Sequence, residues 1–280
     1  MAVRIVTDSA CDLPEAACTE LGIEVVPLTI RFGEREYVDR VELSVEAFWR
    51  EVLASPVLPE TAAPSVGAFE ETFRRLASEG ADGIVCVNLS SKLSATMQSA
   101  QLAAKALEGE IEIAVVDSLS ASMGEGNLAL VGARIAATGA GIAEIVAGIE
   151  SARERQHVFA TVDTLEYLRK GGRIGGAQAM LGSVLSIKPV VAVLDGLVQP
   201  IGKVRTRSKA LQAVLERVPT EPGSIESVCV LHAMAPEIDS FVADLQGIIG
   251  DVDVLVGTIG PVVGVHTGPR VLGLAYIQRA

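Results

Sequence analysis

The chain has 280 residues, 49% of them hydrophobic but only 4% aromatic. That length divides more comfortably into two domains than it packs as one, and the interiors have to be filled by Ala, Val, Leu and Ile. A formal charge of -12 lacks the basic footprint that phosphate neutralisation needs, which argues against general nucleic-acid binding.

The mean hydropathy of +0.41 raises the question of membrane insertion. One long uncharged stretch, Ile174–Ile187, is interrupted by Gly175, Gly176, Gln178, Gly182, Ser183 and Ser186 and is too short for a spanning helix of about 20 apolar residues. Val254–Val265 contains Gly257, Gly260, Pro261 and Gly264 and reads as strand and turn. Asp8 and Asp12 interrupt the apolar opening, so no secretory signal is read there. No integral membrane association and a cytoplasmic location are the expectations. Cys11, Cys18, Cys86 and Cys229 form no CxxC pair, so they are expected to be structural thiols, with no metal site.

In chain order, Val3–Thr7 predicts a strand, Asp8–Asp12 a polar turn, and Pro14 the start of a helix, where its missing N–H costs nothing. Ile23–Phe32 predicts a second strand region, with Tyr37 and Val38 as its partner. A helix follows Ser44 through Leu53, and another follows Ser65, where Phe69, Phe73 and Leu76 share one face. Gly83–Asn88 and Ile111–Val116 are strands, alternating with helices over Leu93–Leu107, Gly126–Ala137 and Gly139–Arg153. This succession predicts a parallel sheet with helical crossovers, and the first domain is taken to end near Arg155.

The second domain opens with a strand over His157–Thr161, then a short helix over Asp163–Arg169 and a basic loop, Lys170–Arg173. After a helix near Gln178–Leu185, strands Lys188–Leu194 and Leu197–Gly202 straddle Asp195-Gly196, a hairpin signal. A helix over Ser208–Arg217, strands near Ile225–Leu231 and Asp253–Thr258, and a helix between Pro236 and Ile249 follow. A final pair of strands is expected at Pro261–Val265 and Val271–Ile277. The hairpins make this half mixed α/β, and no repeat or low-complexity linker interrupts the chain.

Three hydroxyl-bearing loops carry the chemistry. Thr7-Asp8-Ser9 sits at a sheet edge, but Ala10 occupies the place of a second, paired Asp, so Asp8 and Asp12 read as loop organisers or helix caps. Thr61-Ala62-Ala63-Pro64-Ser65 puts two hydroxyls around a proline just before a helix; Ser65 can cap that helix, and Thr61 can donate to an anion. Ser90–Thr96 follows a strand and enters a helix, where hydroxyls and unused N–H groups can meet a carboxylate or phosphate. Cap and ligand site are both open readings there, with Lys92 read as solvated. His266 reads either as a satisfied structural residue or as a contact for an acidic head group. There is no Gly-x-Ser-x-Gly elbow at Ser94, no GxGxxG, no Walker A sequence and no HExxH.

Taken together, Thr7-Asp8-Ser9 with Asp12-Leu13-Pro14, Thr61–Ser65, Ser90–Thr96, Asp163–Gly175 and Gly264–Pro269 resemble the DegV family of fatty-acid-binding proteins, in segments spread over almost the whole chain. The resemblance implies an α/β fold with an amino-terminal three-layer α/β/α domain, 1–155, and a carboxy-terminal mixed α/β domain, 156–280, with a ligand cleft near their junction. It implies a long-chain fatty acid as ligand, no cofactor, and a separate ATP-dependent fatty-acid kinase as partner, to which the carboxylate is presented. Thr61, Ser94 and His266 are then the carboxylate contacts, and Ser9, Ser65, Thr267 and Arg270 secondary head-group contacts. Arg173 belongs to the kinase interface, and no residue is catalytic. Two positions depart from the family pattern: Ala62 stands where Ser is frequent, and Ala95 where Gly is frequent and an added methyl can crowd the turn. The competing expectations are an autonomous serine-dependent acyl hydrolase or transferase using Ser94 and His266, and a lipid-responsive interaction protein.

Overall fold

The computed structural model describes residues 2–55, 57–180 and 187–280. β1 (Val3–Asp8) runs into a tight turn, Ser9–Cys11, capped where Asp8 Oδ1 accepts the Ala10 N–H at 3.0 Å. After α1 (Glu15–Leu21), the single strand expected over Ile23–Phe32 is two strands, β2 (Glu24–Val26) and β3 (Thr29–Phe32), in different sheets. Pro27 between them has no N–H to continue a ladder, and Leu28 donates its own to Ser9 Oγ at 3.0 Å. β3 is the centre of a small antiparallel sheet, flanked by β4 (Arg35–Val38) and, beyond α2 (Val45–Ala54), by β5 (Glu60–Ala62).

α3 (Val66–Ser78), β6 (Gly83–Asn88), α4 (Thr96–Ala106), β7 (Glu112–Asp117), α5 (Met123–Ala136) and α6 (Ile142–Glu154) complete the first half. Its main sheet, ordered β2-β1-β6-β7, is parallel throughout. Phe69, Phe73 and Leu76 of α3 join Ala100 and Ala103 of α4 in a core on one face, and α5 and α6 cover the other. The result is the three-layer α/β/α arrangement.

The second half contains β8 (Gln156–Thr161), α7 (Glu166–Lys170), β9 (Lys188–Leu194), β10 (Leu197–Val204), α8 (Arg207–Leu215), β11 (Ile225–His232), α9 (Ile238–Ile249), β12 (Val254–Thr258), α10 (Pro261–Thr267) and β13 (Leu272–Gln278). Its sheet, β10-β9-β8-β13-β11-β12, is mixed, with β11 and β12 parallel and the other neighbours antiparallel. At the hairpin tip Asp195 and Gly196 both have positive φ, 50° and 77°, which lets the turn follow the strand twist. Of the helix expected over Gln178–Leu185, Gln178–Met180 lie in the short helical turn Gly175–Met180, and the remainder lies outside the described residues.

The strand expected at Pro261–Val265 is instead α10. Its β-branched Val262, Val263 and Val265 favour a strand locally. Pro261 occupies the first helical turn, where it is pre-organised for helix, and tertiary contact decides the outcome. A Cβ on Gly264 would fall 2.7 Å from Phe48 Cε1 and 2.8 Å from Trp49 Cζ2, so glycine lets α10 press directly onto the aromatic face of α2.

The halves are joined by burial and by hydrogen bonds, three of which meet on one carboxylate. Every residue of α5 from Met123 to Ala133 is buried, because the helix touches β1 and β6 of the first sheet and β8, β11 and β13 of the second. Beside it, the buried Asp12 accepts hydrogen bonds from Arg40 Nη2 at 2.9 Å, Gly260 N at 2.8 Å and Ser122 Oγ at 2.6 Å. Asp12→Ala is expected to cost about 3 kcal/mol, the low end for removing one partner of a buried ion pair, because Arg40 keeps some solvent contact. Urea unfolding of wild type and variant measures it; a loss well under 1 kcal/mol would contradict a central role.

Candidate functional site

A cleft between the halves is walled almost entirely by aliphatic side chains. Val158, Ala160 and Val162 come from β8 and the residue after it, Val191 and Val193 from β9, and Val198 from β10. The first half contributes Leu28, Leu89 and Leu93, and α10 closes the cleft with Val262 and Val263. Polar groups are confined to a few positions, among them Thr61, Ser94, Ser122, Arg173, His266 and Thr267. An apolar cavity with a handful of convergent polar groups is the general form of a site for a mostly hydrocarbon ligand.

Thr61 and His266, 205 residues apart, meet at this cleft with Oγ1 and Nε2 2.9 Å apart. β5 holds Thr61 opposite Ile30 in the small sheet, and α10 presents His266. Burial, and then the Arg173 charge, lower the His266 pKa from 6.5 to about 4, so the imidazole is neutral at pH 7. With its proton on Nε2 the ring donates to Thr61 Oγ1, leaving the threonine O–H free to point at an anion. Gly171 leaves room for the ring: a Cβ there would lie 2.2 Å from His266 Nδ1.

Ser94 precedes α4, which begins at Thr96 and not at Leu93 as the sequence suggested. Its Oγ lies 2.9 Å from Thr96 Oγ1 and accepts the Thr96 N–H at 3.3 Å, so it braces the turn that enters the helix, whose N-cap is Ala95, and also lines the cleft. Ala95 has φ -82° and ψ 3°, a conformation open to any L-residue, and its methyl therefore brings no strain. Arg173 donates from Nε to the Leu93 carbonyl at 3.0 Å and from Nη1 to Gly171 O at 2.7 Å. Its charge is thereby fixed at the cleft beside Ser94 and His266.

The same loop is pinned on its other side. Lys92 Nζ donates to Asp195 O at 2.7 Å and Ser90 Oγ to Gly196 O at 2.8 Å, so Lys92, exposed as expected, also fastens the hairpin tip to the first half. Thr267 reaches the cleft with its hydroxyl proton given to Val263 O at 2.9 Å. Three secondary candidates do not line the cleft. Ser65 is exposed and caps α3 through the Ala68 N–H at 3.1 Å, and Arg270 binds Glu237 at 2.9 Å. Ser9 is buried against Leu28 and borders a different cavity.

The sequence reading missed the stretch after β7. Ala121 and Ser122 line the cleft, and Ser122 holds φ 55° and ψ -144°, a region L-residues seldom occupy. The serine-rich run Ser118-Leu119-Ser120-Ala121-Ser122 was the available signal, at the carboxyl end of a parallel strand where ligands bind in such sheets.

A two-domain α/β fold with an apolar cleft and a hydroxyl-and-imidazole end defines a binding protein for amphiphilic small molecules. The family model described as an uncharacterised protein, DegV family, matches residues 2–279, and the chain belongs to that family. A DegV domain-containing protein of Streptomyces coelicolor is 39% identical over 281 residues, covering 99% of each chain. Among solved structures, a DegV family protein from Thermus thermophilus, described for its fatty-acid binding, superposes with a TM-score of 0.89 at 33% identity and 100% coverage of both chains. A stearic acid-binding protein from Eubacterium ventriosum gives a TM-score of 0.91 at 28% identity, covering 99% of this chain and 98% of its own.

The His266 shift makes stability depend on pH. The folded pKa lies below the unfolded one, so as pH falls the unfolded chain takes the proton first. The full contribution is present above pH 6.5 and is lost progressively toward pH 4. Between pH 7.5 and about 5.2, ligand-free wild type is expected to lose about 2 kcal/mol more than His266→Gln, read as the difference between their urea midpoints. Parallel pH profiles for the two proteins would show that the imidazole is not held neutral.

Proposed function

We propose that this protein reversibly binds a long-chain fatty acid, the tail in the aliphatic cleft and the carboxylate at Thr61, Ser94 and His266. The observation that carries this reading is the 2.9 Å pairing of Thr61 with a neutral His266 at the polar end of an otherwise apolar cavity. Fatty-acid binding by the related structures supports the same assignment. Each buried methylene contributes about 0.8 kcal/mol before ordering costs, so the tail supplies most of the gross binding energy and the head sets orientation.

The cleft has no part in ATP chemistry on this reading. The protein is a carrier that presents its bound acid to a separate ATP-dependent kinase, with Arg173 close enough to the head to be sensed by the partner. A cytoplasmic location belongs to the same proposal, and four free, buried cysteines suit a reducing compartment. Among the described residues no helix is long and apolar enough to cross a membrane. Autonomous acyl hydrolysis would call for a base on Ser94, but that hydroxyl pairs with Thr96 while His266 pairs with Thr61.

Thr61→Val combined with Ser94→Ala is expected to weaken palmitate binding roughly 100-fold or more, the loss of two hydrogen bonds to a charged group, and to leave hexadecanol binding nearly unchanged. Equilibrium titration of delipidated protein measures both; equal losses for acid and alcohol would overturn the head-group assignment. For the carrier role, acyl phosphate formed by a purified fatty-acid kinase with ATP and palmitate is expected to require this protein. Undiminished product in its absence would remove that role without touching the binding reading.

A further inference from the structure

The β9–β10 hairpin forms one edge of the second sheet, and its tip outruns the strand beside it. β9 pairs with β8 only at Val190, Val191 and Ala192, whereas its pairing with β10 continues through Val193 and Leu194 to the turn at Asp195 and Gly196. Residues 193–198 are therefore a two-stranded ribbon, a form with little stability of its own in water. Behind the ribbon the ladder is broken by a register shift between Pro200 and Gly202, and such a bulge bends the strand that carries it. The paired side chains Val193 and Val198 are nonetheless part of the cleft wall.

Two hydrogen bonds hold the tip to the first half, Lys92 Nζ to Asp195 O at 2.7 Å and Ser90 Oγ to Gly196 O at 2.8 Å. Both acceptors are backbone oxygens of the hairpin turn, and both donors stand between Leu89 and Leu93, which also line the cleft. The two bonds thus close a seam whose lips are both cleft wall. The turn Gly175–Met180 adds support along β10, with Gly175 and Gly176 against Val198 and Gln199. Elsewhere the halves are joined more firmly, by α5, buried from Met123 to Ala133 against both sheets, and by the buried Asp12 carboxylate on Gly260 N. Lys92 is exposed, so water replaces its bond to Asp195 at small cost. Elements that move to admit ligands come from this low-stability end of a structure.

We propose that the β9–β10 tip is a flap over the acyl cleft, latched by Lys92 and Ser90, whose opening admits and releases the ligand. What passes beneath it rests on the fatty-acid reading above; the movement itself does not. Lys92 is two residues from Ser94, so the flap opens beside the carboxylate contacts.

A Cβ on Gly196 would lie 2.4 Å from Ser90 Oγ, so cysteines at the two positions are within bridging reach. In Ser90→Cys/Gly196→Cys, oxidation is expected to slow release of bound palmitate to an albumin chase more than about tenfold, because flap opening limits exchange, and dithiothreitol to restore it. Gly196 has φ 77°, where cysteine is strained, so Lys92→Ala on the native turn is the second variant. Its palmitate release is expected to be roughly 2- to 10-fold faster, the worth of one hydrogen bond. Amide hydrogen exchange of the ligand-free protein reads the flap without any fatty acid: residues 193–198 are expected to exchange faster in Lys92→Ala, with β8 unchanged. Unaltered release after confirmed disulfide formation, or tip amides as protected as those of β8 in both proteins, would each overturn the flap. Failure of wild type to bind palmitate would overturn the acyl reading instead, and hydrogen exchange would then decide the flap alone.

Discussion

The architecture turns on a single buried carboxylate. Asp12 gathers an arginine from the loop after β4, a serine ahead of α5 and a backbone amide at the head of α10, and so joins elements that the chain keeps up to 248 residues apart. A carboxylate removed from water survives only when its lone pairs are met, and three donors meet them here. α10 needs this help, because a seven-residue helix has little stability of its own. Its start is fixed by Asp12 and by the Trp49 indole, which donates to Ile259 O at 3.0 Å, and its middle by the contact of Gly264 with Phe48 and Trp49. The position of His266 is inherited from these contacts.

That dependence explains which parts of the molecule could be read from the sequence. Elements with strong local signals emerged close to their observed limits: β6 from a continuous apolar run, α3 from Phe69, Phe73 and Leu76, and the β9–β10 hairpin from Asp195-Gly196. The strand–helix alternation gave the layered first half, and the hairpins gave the mixed second half. α10 was misread because its identity is tertiary: three valines vote for a strand, and only the aromatic face of α2 and the Asp12 tie outvote them. The division of Ile23–Phe32 into two sheets turned on Pro27 and on a hydrogen bond to Ser9 that no spacing announces.

The polar end of the cleft was legible only through several motifs seen at once. Thr61, Ser94 and His266 each have an ordinary local explanation, and Ser94 does bond the first helical N–H of α4. Their convergence is a property of the folded chain, and family resemblance stood in for the missing distances. Ser65 and Arg270 lie in the same motifs as Thr61 and His266, yet they are engaged in a helix cap and an ion pair. Ser122 went unread although the serine-rich run after β7 pointed to it, because the strained backbone that turns it toward the cleft is visible only in the fold.

The chemistry of the polar end fits a ligand that must be released as well as held. A lysine or arginine clamped directly on a carboxylate in an enclosed site would have to be stripped of water along with its partner, and removing the ligand would strand the charge. Hydroxyls, one of them oriented by a neutral imidazole, can instead hold an anion by hydrogen bonds alone, and the Thr61–His266 bond persists when it leaves. Arg173 contributes positive potential from a guanidinium already anchored on two carbonyls, so its own hydrogen bonding does not depend on the ligand. In the proposed reading the head contributes the same free energy whatever the chain length, whereas the tail's share grows with each methylene. Discrimination between acids and neutral lipids then belongs to Thr61, Ser94 and His266, and discrimination among acids belongs to the valine-rich walls of β8, β9 and β10.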